Sequence, residues 1–143
     1  MKAESKFWVE VKAKLSPHFV LTRTDLVSIS GWPDVVLYNK NGTFLTIELK
    51  VTRSYSIKLS PHQMGFHTLH PRNTFILVKP LAAPLSKLSD KVSSRLSDKV
   101  SSDKLLEPYL YKGSEIQLLA SRGLKLEPFV IGWPLIIQHF ASI

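Results

Sequence analysis

Residues 31–50 read GWPDVVLYNKNGTFLTIELK. Two apolar runs flank Asn39-Lys40-Asn41-Gly42, and Asn-Gly supplies positions that tolerate positive φ, so the stretch predicts a β-hairpin. Residues 35–38 form its first strand and residues 43–51 its second. In the second strand Leu45, Ile47, Leu49 and Val51 share the face expected to meet the core. Phe44, Thr46, Glu48 and Lys50 share the other, which is expected to be open. Counting outward from the turn puts Asp34 directly opposite Glu48, with side chains within roughly 5 Å. A slip of one residue would turn Glu48 and Lys50 into the core, so everything rests on this register.

Two carboxylates at that separation repel unless something cationic lies between them. Lys50 points the same way as Glu48, so an Asp, a Glu and a Lys converge on one spot. A hard divalent cation such as magnesium takes oxygen ligands and fits such a pair, leaving positions for water and a phosphate. Lys50 then holds a nucleophilic water or stabilises the transition state, and Glu4 can add a third carboxylate. The competing reading is plainer: Asp34 caps a turn after Pro33, and Glu48 and Lys50 are solvated surface charges.

Working outward, residues 3–15 predict a helix, with Phe7, Trp8, Val11 and Leu15 at helical spacing and Pro17 beyond its end. Residues 18–30 hold a short strand or two, with His18 to Leu21 and Leu26-Val27 as their apolar parts. Ser60, Pro61 and Gln63 form a helix-start signature: an N-cap, a proline in the first turn and a capping-box partner. That helix runs toward Leu69, and Pro71-Arg72-Asn73 turns into the continuous apolar run Phe75 to Val78, a buried strand. Strand, helix, strand suggests a crossover beside the hairpin. Residues 114–121 predict a short helix stopped by Gly123. Two apolar runs close the sequence, 129–131 and 135–137, broken by Gly132-Trp133-Pro134.

Residues 81–104 differ in character. LSDKVSSR at 88–95 is followed by LSDKVSSD at 96–103. Leu88, Val92, Leu96 and Val100 are four apart, which winds slowly around a helix, and serine weakens it. A helical or flexible protruding arm is expected, and a DNA-touching or dimerising role is the functional alternative.

With 143 residues and 44% apolar content, one domain spanning 1–143 is expected. The absence of cysteine excludes a disulfide framework, a thiolate zinc site and a cysteine nucleophile. The opening MKAESKFWVE is charged and amphipathic, unlike a secretion signal, and no run is long enough to cross a bilayer. A cytoplasmic, non-membrane location is the expectation. Net charge is +8, with 11 Lys/Arg against 5 Asp/Glu in residues 1–80. That excess favours a polyanion such as nucleic acid, though it also suits a basic soluble protein. His67 and His70 stand three apart, but no third zinc ligand accompanies them. No glycine-rich phosphate loop is present.

Four short motifs in order resemble the PD-(D/E)xK nuclease superfamily, and within it the small VRR-NUC-like, Holliday junction resolvase-like proteins of phage genomes. They are Glu4-Ser5-Lys6-Phe7, Gly31-Trp32-Pro33-Asp34, Glu48-Leu49-Lys50 and Leu59-Ser60-Pro61-His62-Gln63. The resemblance covers residues 4 to about 80. It implies an α/β, restriction-endonuclease-like core: a mixed β-sheet with a hairpin carrying the active site, flanked by helices. It also implies that Asp34, Glu48 and the Leu49 backbone carbonyl hold Mg2+, with Mn2+ as a substitute. Lys50 becomes the catalytic lysine, Gln63 lies beside the scissile phosphate, and Glu4 supports the metal through water. Glu10 is the alternative to Glu4. His62 stands where relatives often carry an acid, and either contacts phosphate or does nothing.

Arg53, Lys58, Arg72 and Lys79 could line a phosphate-binding surface, and each could equally be an ordinary surface charge. Trp32 and Tyr55 could stack on a distorted base, with packing the alternative. The implied activity is a metal-dependent DNA endonuclease acting on branched DNA such as Holliday junctions. One chain has one site, so symmetric junction cutting calls for a homodimer. The alternatives are a general nicking or degradative nuclease of the same fold, or a non-catalytic DNA-binding or assembly protein. If the sequence is phage-encoded, the location is the host cytoplasm.

Overall fold

A computed structural model describes residues 2–24, 30–82 and 106–143. The Leu26-Val27 pair and the octad repeat fall outside the described residues. Within them, six strands form one mixed sheet in the order β1 to β6. They are β1 (Val20–Arg23), β2 (Val35–Tyr38), β3 (Phe44–Thr52), β4 (Thr74–Pro80), β5 (Tyr109–Lys112) and β6 (Val130–Ile131). The helices are α1 (Ala3–Leu15), α2 (Pro61–Leu69), α3 (Ile116–Arg122) and α4 (Trp133–Ser142). Every neighbouring pair is antiparallel except β3 and β4, which are parallel and joined through α2. A parallel pair needs such a crossover, because a tight turn can only reverse the chain.

The hairpin forms as its alternation predicts. Val35 pairs with Ile47 and Leu37 with Leu45, and Gly42 takes φ +80° in the turn. The Asn39 side-chain oxygen accepts the backbone N–H groups of Asn41 (3.0 Å) and Thr43 (2.9 Å), closing the loop as a side-chain turn mimic. Asn39 and Asn41 also donate side-chain amides to carbonyls at the end of α4: Asn39 to Phe140 at 2.9 Å and Asn41 to Ala141 at 3.1 Å. The Ile143 carbonyl receives Asn39, Asn41 and Thr43 together.

Alternation along the strands divides the core into two layers. On one face Leu45, Ile47 and Leu49 pack under α1 (Phe7, Val11, Leu15) and α4 (Ile136, Phe140). On the other, Ile76, Val78 and Tyr111 pack under α3 and the turn that follows it. Strand β4 lies between strands and under helices on both sides, which is why Phe75 to Val78 reads as an unbroken apolar run. Each fully buried aliphatic side chain of that run contributes roughly 1.5–3 kcal/mol by leaving water.

Two features differ from the sequence expectation. Tyr109–Lys112, which carries no turn signal of its own, is a strand paired to β4. Gly132-Trp133-Pro134 does not break the last segment but starts α4. Gly132 takes φ +94° at the N-cap, and Pro134 sits in the first turn, where its missing N–H has no helical partner to lose. No described helix is long and apolar enough to cross a membrane.

Candidate active site

Asp34 immediately precedes β2. The Val35–Ile47 pairing, extended by one residue, sets it level with Glu48. Its Oδ2 accepts the Leu49 backbone N–H at 2.7 Å. Its own carbonyl accepts the Thr24 N–H at 2.8 Å, which ties this stretch to the end of β1. Asp34 is therefore fixed by neighbours on both sides.

Glu48 departs from expectation. Alternation turns it away from the α1 layer as predicted, but the face it reaches is covered: the residue is only 2% exposed. The cover is the first turn of α2. Ser60 caps this helix with a complete capping box: its Oγ accepts the Gln63 N–H at 3.1 Å, and Gln63 Oε1 accepts the Ser60 N–H at 2.9 Å. The same Gln63 amide reaches into the sheet. Its Nε2 donates to Glu48 Oε1 at 2.6 Å, while its Oε1 also accepts Lys50 Nζ at 3.1 Å. Lys50 Nζ stands 3.9 Å from Glu48 Oε1. One side chain thus caps a helix, orients a carboxylate and holds a lysine.

The electrostatics follow from burial. Desolvation first, then the Asp34 charge, push the Glu48 carboxyl up to about 8. Lys50 pulls the other way, while a hydrogen bond with Asp34 and the charge of Glu4 add to the rise. Glu48 Oε2 is buried with no protein donor. A buried Glu48 with an orphaned oxygen beside a half-buried Asp34 is relieved by either a proton or a cation, so the donor set fits a hard divalent ion.

That fit is limited to two carboxylates. Among the described residues no group of three or more His, Cys, Asp or Glu stands where it could hold a metal ion. Glu4 is exposed in the first turn of α1, near enough for its charge to act on Glu48. Glu10 is engaged elsewhere: it accepts Lys79 Nζ at 3.1 Å and the Trp133 indole N–H at 3.0 Å. Of the two helix acids, Glu4 is the one whose charge reaches Glu48.

The other basic candidates are scattered. Lys79 pairs with Val51 in register and so shares the α1 face, opposite to Glu48, with Glu10 as its partner. Arg53 opens onto a hollow of about 250 Å3 together with Lys6, Glu10 and Lys79. Arg72 lies before β4, four residues (about 13 Å) back from Ile76, the neighbour level with Glu48. It lines a separate hollow of about 440 Å3 with Lys112 and His139. Lys58 and His62 are exposed on either side of the α2 cap. Tyr55 packs against the α3 layer with Lys125 Nζ 5.3 Å from its ring centre. Trp32 stacks edge-on against Phe66 of α2 at 5.6 Å.

Sequence reasoning placed Gly31 in a motif but gave it no structural role. It takes φ +82°, and a Cβ there would collide with the His62 carbonyl oxygen. The GWPD loop therefore lies directly against the start of α2, which seats Gln63 over Glu48. The sequence signal was the glycine beside the Pro33-Asp34 pair, and its partner was invisible without the fold. Among the described residues no third ligand joins His67 and His70; His70 Nδ1 meets the Phe66 carbonyl at 2.9 Å, and His67 is fully buried. No protein-family model matches the sequence, and no curated protein matches it.

Proposed function

We propose that this chain is a metal-dependent endodeoxyribonuclease of the PD-(D/E)xK type, built on a restriction-endonuclease-like core. The observation that carries the reading is the convergence of Asp34, Lys50 and Gln63 around the buried Glu48 carboxyl. Surface charges on a solvated strand do not require a glutamine to bridge them, nor do they leave a carboxylate oxygen buried without a donor. Mg2+, with Mn2+ as a substitute, would be held by Asp34, Glu48 and the Leu49 carbonyl, with Glu4 acting through water, and supplies Lewis acidity toward water and phosphate when bound.

The side chains have separable tasks. Gln63 holds Glu48 and Lys50 in one arrangement, so neither must reorganise when a phosphate arrives. Lys50 presents an ammonium beside the reacting phosphate, where it orients the attacking water and offsets the charge that grows on the phosphoryl oxygens. Water oxygen bonds to phosphorus as the water gives up a proton to solvent, the bond to the 3′ oxygen breaks, and that oxygen leaves taking a proton from solvent. Branched DNA is the proposed substrate, and paired cutting of a Holliday junction is proposed to use a homodimer.

The test is cleavage of labelled four-way junction, flap and plain duplex by wild type, Asp34→Asn and Lys50→Ala with manganese. Cleavage by wild type alone supports the enzyme. Equal rates on all three substrates favour a general nuclease of the same fold. No cleavage by wild type, with DNA binding intact in Lys50→Ala, would leave a non-catalytic DNA-binding protein.

A further inference from the structure

The face of the sheet that carries Asp34 and Glu48 continues past them. In β3, Phe44 lies four residues before Glu48 on the same face, about 13 Å along the strand. Its partner across the ladder is Tyr38, and the partner of Tyr38 is Val20. The three form a straight row across β1, β2 and β3, and they are 65%, 41% and 65% exposed in the order Val20, Tyr38, Phe44. The Tyr38 and Phe44 rings stand 4.6 Å apart, tilted by 43°. Helix α2 covers Glu48 but then packs toward α3 and the turn after β5, away from this row. Among the described residues, two large aromatic rings and a valine thus lie in the open on the catalytic side of the sheet.

We propose that this row is a stacking platform for unpaired bases of a DNA substrate, the single-stranded arm of a branch, leading to the carboxylate site. The inference rests on the nuclease reading and deepens it by naming what recognises the branch. Paired bases hide their faces inside the duplex, whereas unpaired bases offer them to any exposed ring, whatever the sequence. The row's surroundings suit a polyanion. The adjoining hollow of about 350 Å3 is lined by His18 and Lys40 beside Val20 and Tyr38, with no carboxylate in its wall. A second copy of the chain suits the row less well, because a two-fold interface would press this basic margin, on a chain of net charge +8, against its own image.

The test is fluorescence anisotropy with labelled oligothymidine and a blunt duplex, in EDTA so that cleavage plays no part. Phe44→Ser and Tyr38→Ser should each weaken oligothymidine binding roughly 5- to 100-fold and change duplex binding by less than about twofold. Phe44→Trp, which keeps an aromatic face, should bind as wild type does. Both positions are exposed, and thermal melts confirm that the variants fold. Unchanged oligothymidine affinity in both serine variants would overturn the proposal. So would sedimentation showing a wild-type dimer that Phe44→Ser converts to monomer, since the face would then be a self-interface. The two readings fail separately. Wild type that cuts nothing but binds oligothymidine through Phe44 keeps the platform without the nuclease. Wild type that cuts, with binding indifferent to both rings, rules the platform out.

Discussion

Gln63 Nε2 donates to Glu48 Oε1 at 2.6 Å, across an interface between a helix cap and the centre of a sheet. The same amide completes the capping box with Ser60. Helix initiation and carboxylate orientation therefore share one side chain, and substitution can separate them.

Gln63→Glu keeps an oxygen for the Ser60 N–H but loses the donor to Glu48 and adds a third acid beside the pair. Circular dichroism should show α2 retained, while cleavage falls by about 100-fold or more, in line with an electrostatic loss of ~3 kcal/mol at the site. Gln63→Ala removes both roles and should also lower stability by about 1–2 kcal/mol in urea titrations. Equal activity in wild type and Gln63→Glu would dismiss the bridging role.

Glu48 gives the metal-free protein a pH signature. Its folded value of about 8 lies above the unfolded value near 4.5, so the folded state holds the extra proton between them. Stability from this group is full below about 4.5 and is lost as pH rises through 8. Glu48→Gln should flatten that decline in melts across the pH range. A cation that replaces the proton should bind more tightly as pH rises toward 8, by up to about tenfold per unit, and release about one proton per site in calorimetry.

His67 slopes the other way. It is fully exposed in no direction, both ring nitrogens lack a hydrogen-bond partner, and burial first, then His70, lower it from 6.5 to about 4. Below about 6.5 the unfolded chain takes a proton that the folded one refuses, so stability falls with pH down to about 4, by roughly 3 kcal/mol in all. Between 4.5 and 6.5 the two groups oppose each other and the wild-type profile should be flat. His67→Leu should unmask the Glu48 decline there, and a profile unchanged by His67→Leu would contradict this assignment.

Two glycines near α2 should respond oppositely. Gly31→Ala forces a Cβ into the His62 carbonyl at a positive φ, and should cost about 2 kcal/mol or more and reduce cleavage by lifting the loop off the helix. Gly65, inside α2, has open space where a Cβ would go. Gly65→Ala should therefore stabilise by about 0.5–1 kcal/mol in the same melts and leave cleavage unchanged.

What could be read from the sequence was what depends on near neighbours. The Asn-Gly turn and strict alternation specify the hairpin register, and the register puts Asp34 beside Glu48. Ser60, Pro61 and Gln63 announce α2 because all the atoms of a capping box lie within one turn. Features that depend on distant contacts were hidden. Glu48 is buried because α2 folds back over it, and periodicity within β3 cannot report that. Lys79 takes the α1 face through its pairing with Val51, where Glu10, far away in the sequence, meets it. Strand β5 is buried on both faces against β4 and its coverings, so Tyr109, Leu110 and Tyr111 show no polar alternation to mark a strand.

The clasp between the hairpin turn and the end of α4 joins residues about a hundred apart, Asn39 and Phe140 among them. Synthesis runs from the amino end, so the turn leaves the ribosome roughly 5–20 s before the segment that fastens it. Until Phe140 to Ile143 emerge, the hairpin has the bonds that close its loop but lacks those that fasten the loop to α4. The register that sets Asp34 level with Glu48 is thus laid down early, and the loop that specifies it is clasped later.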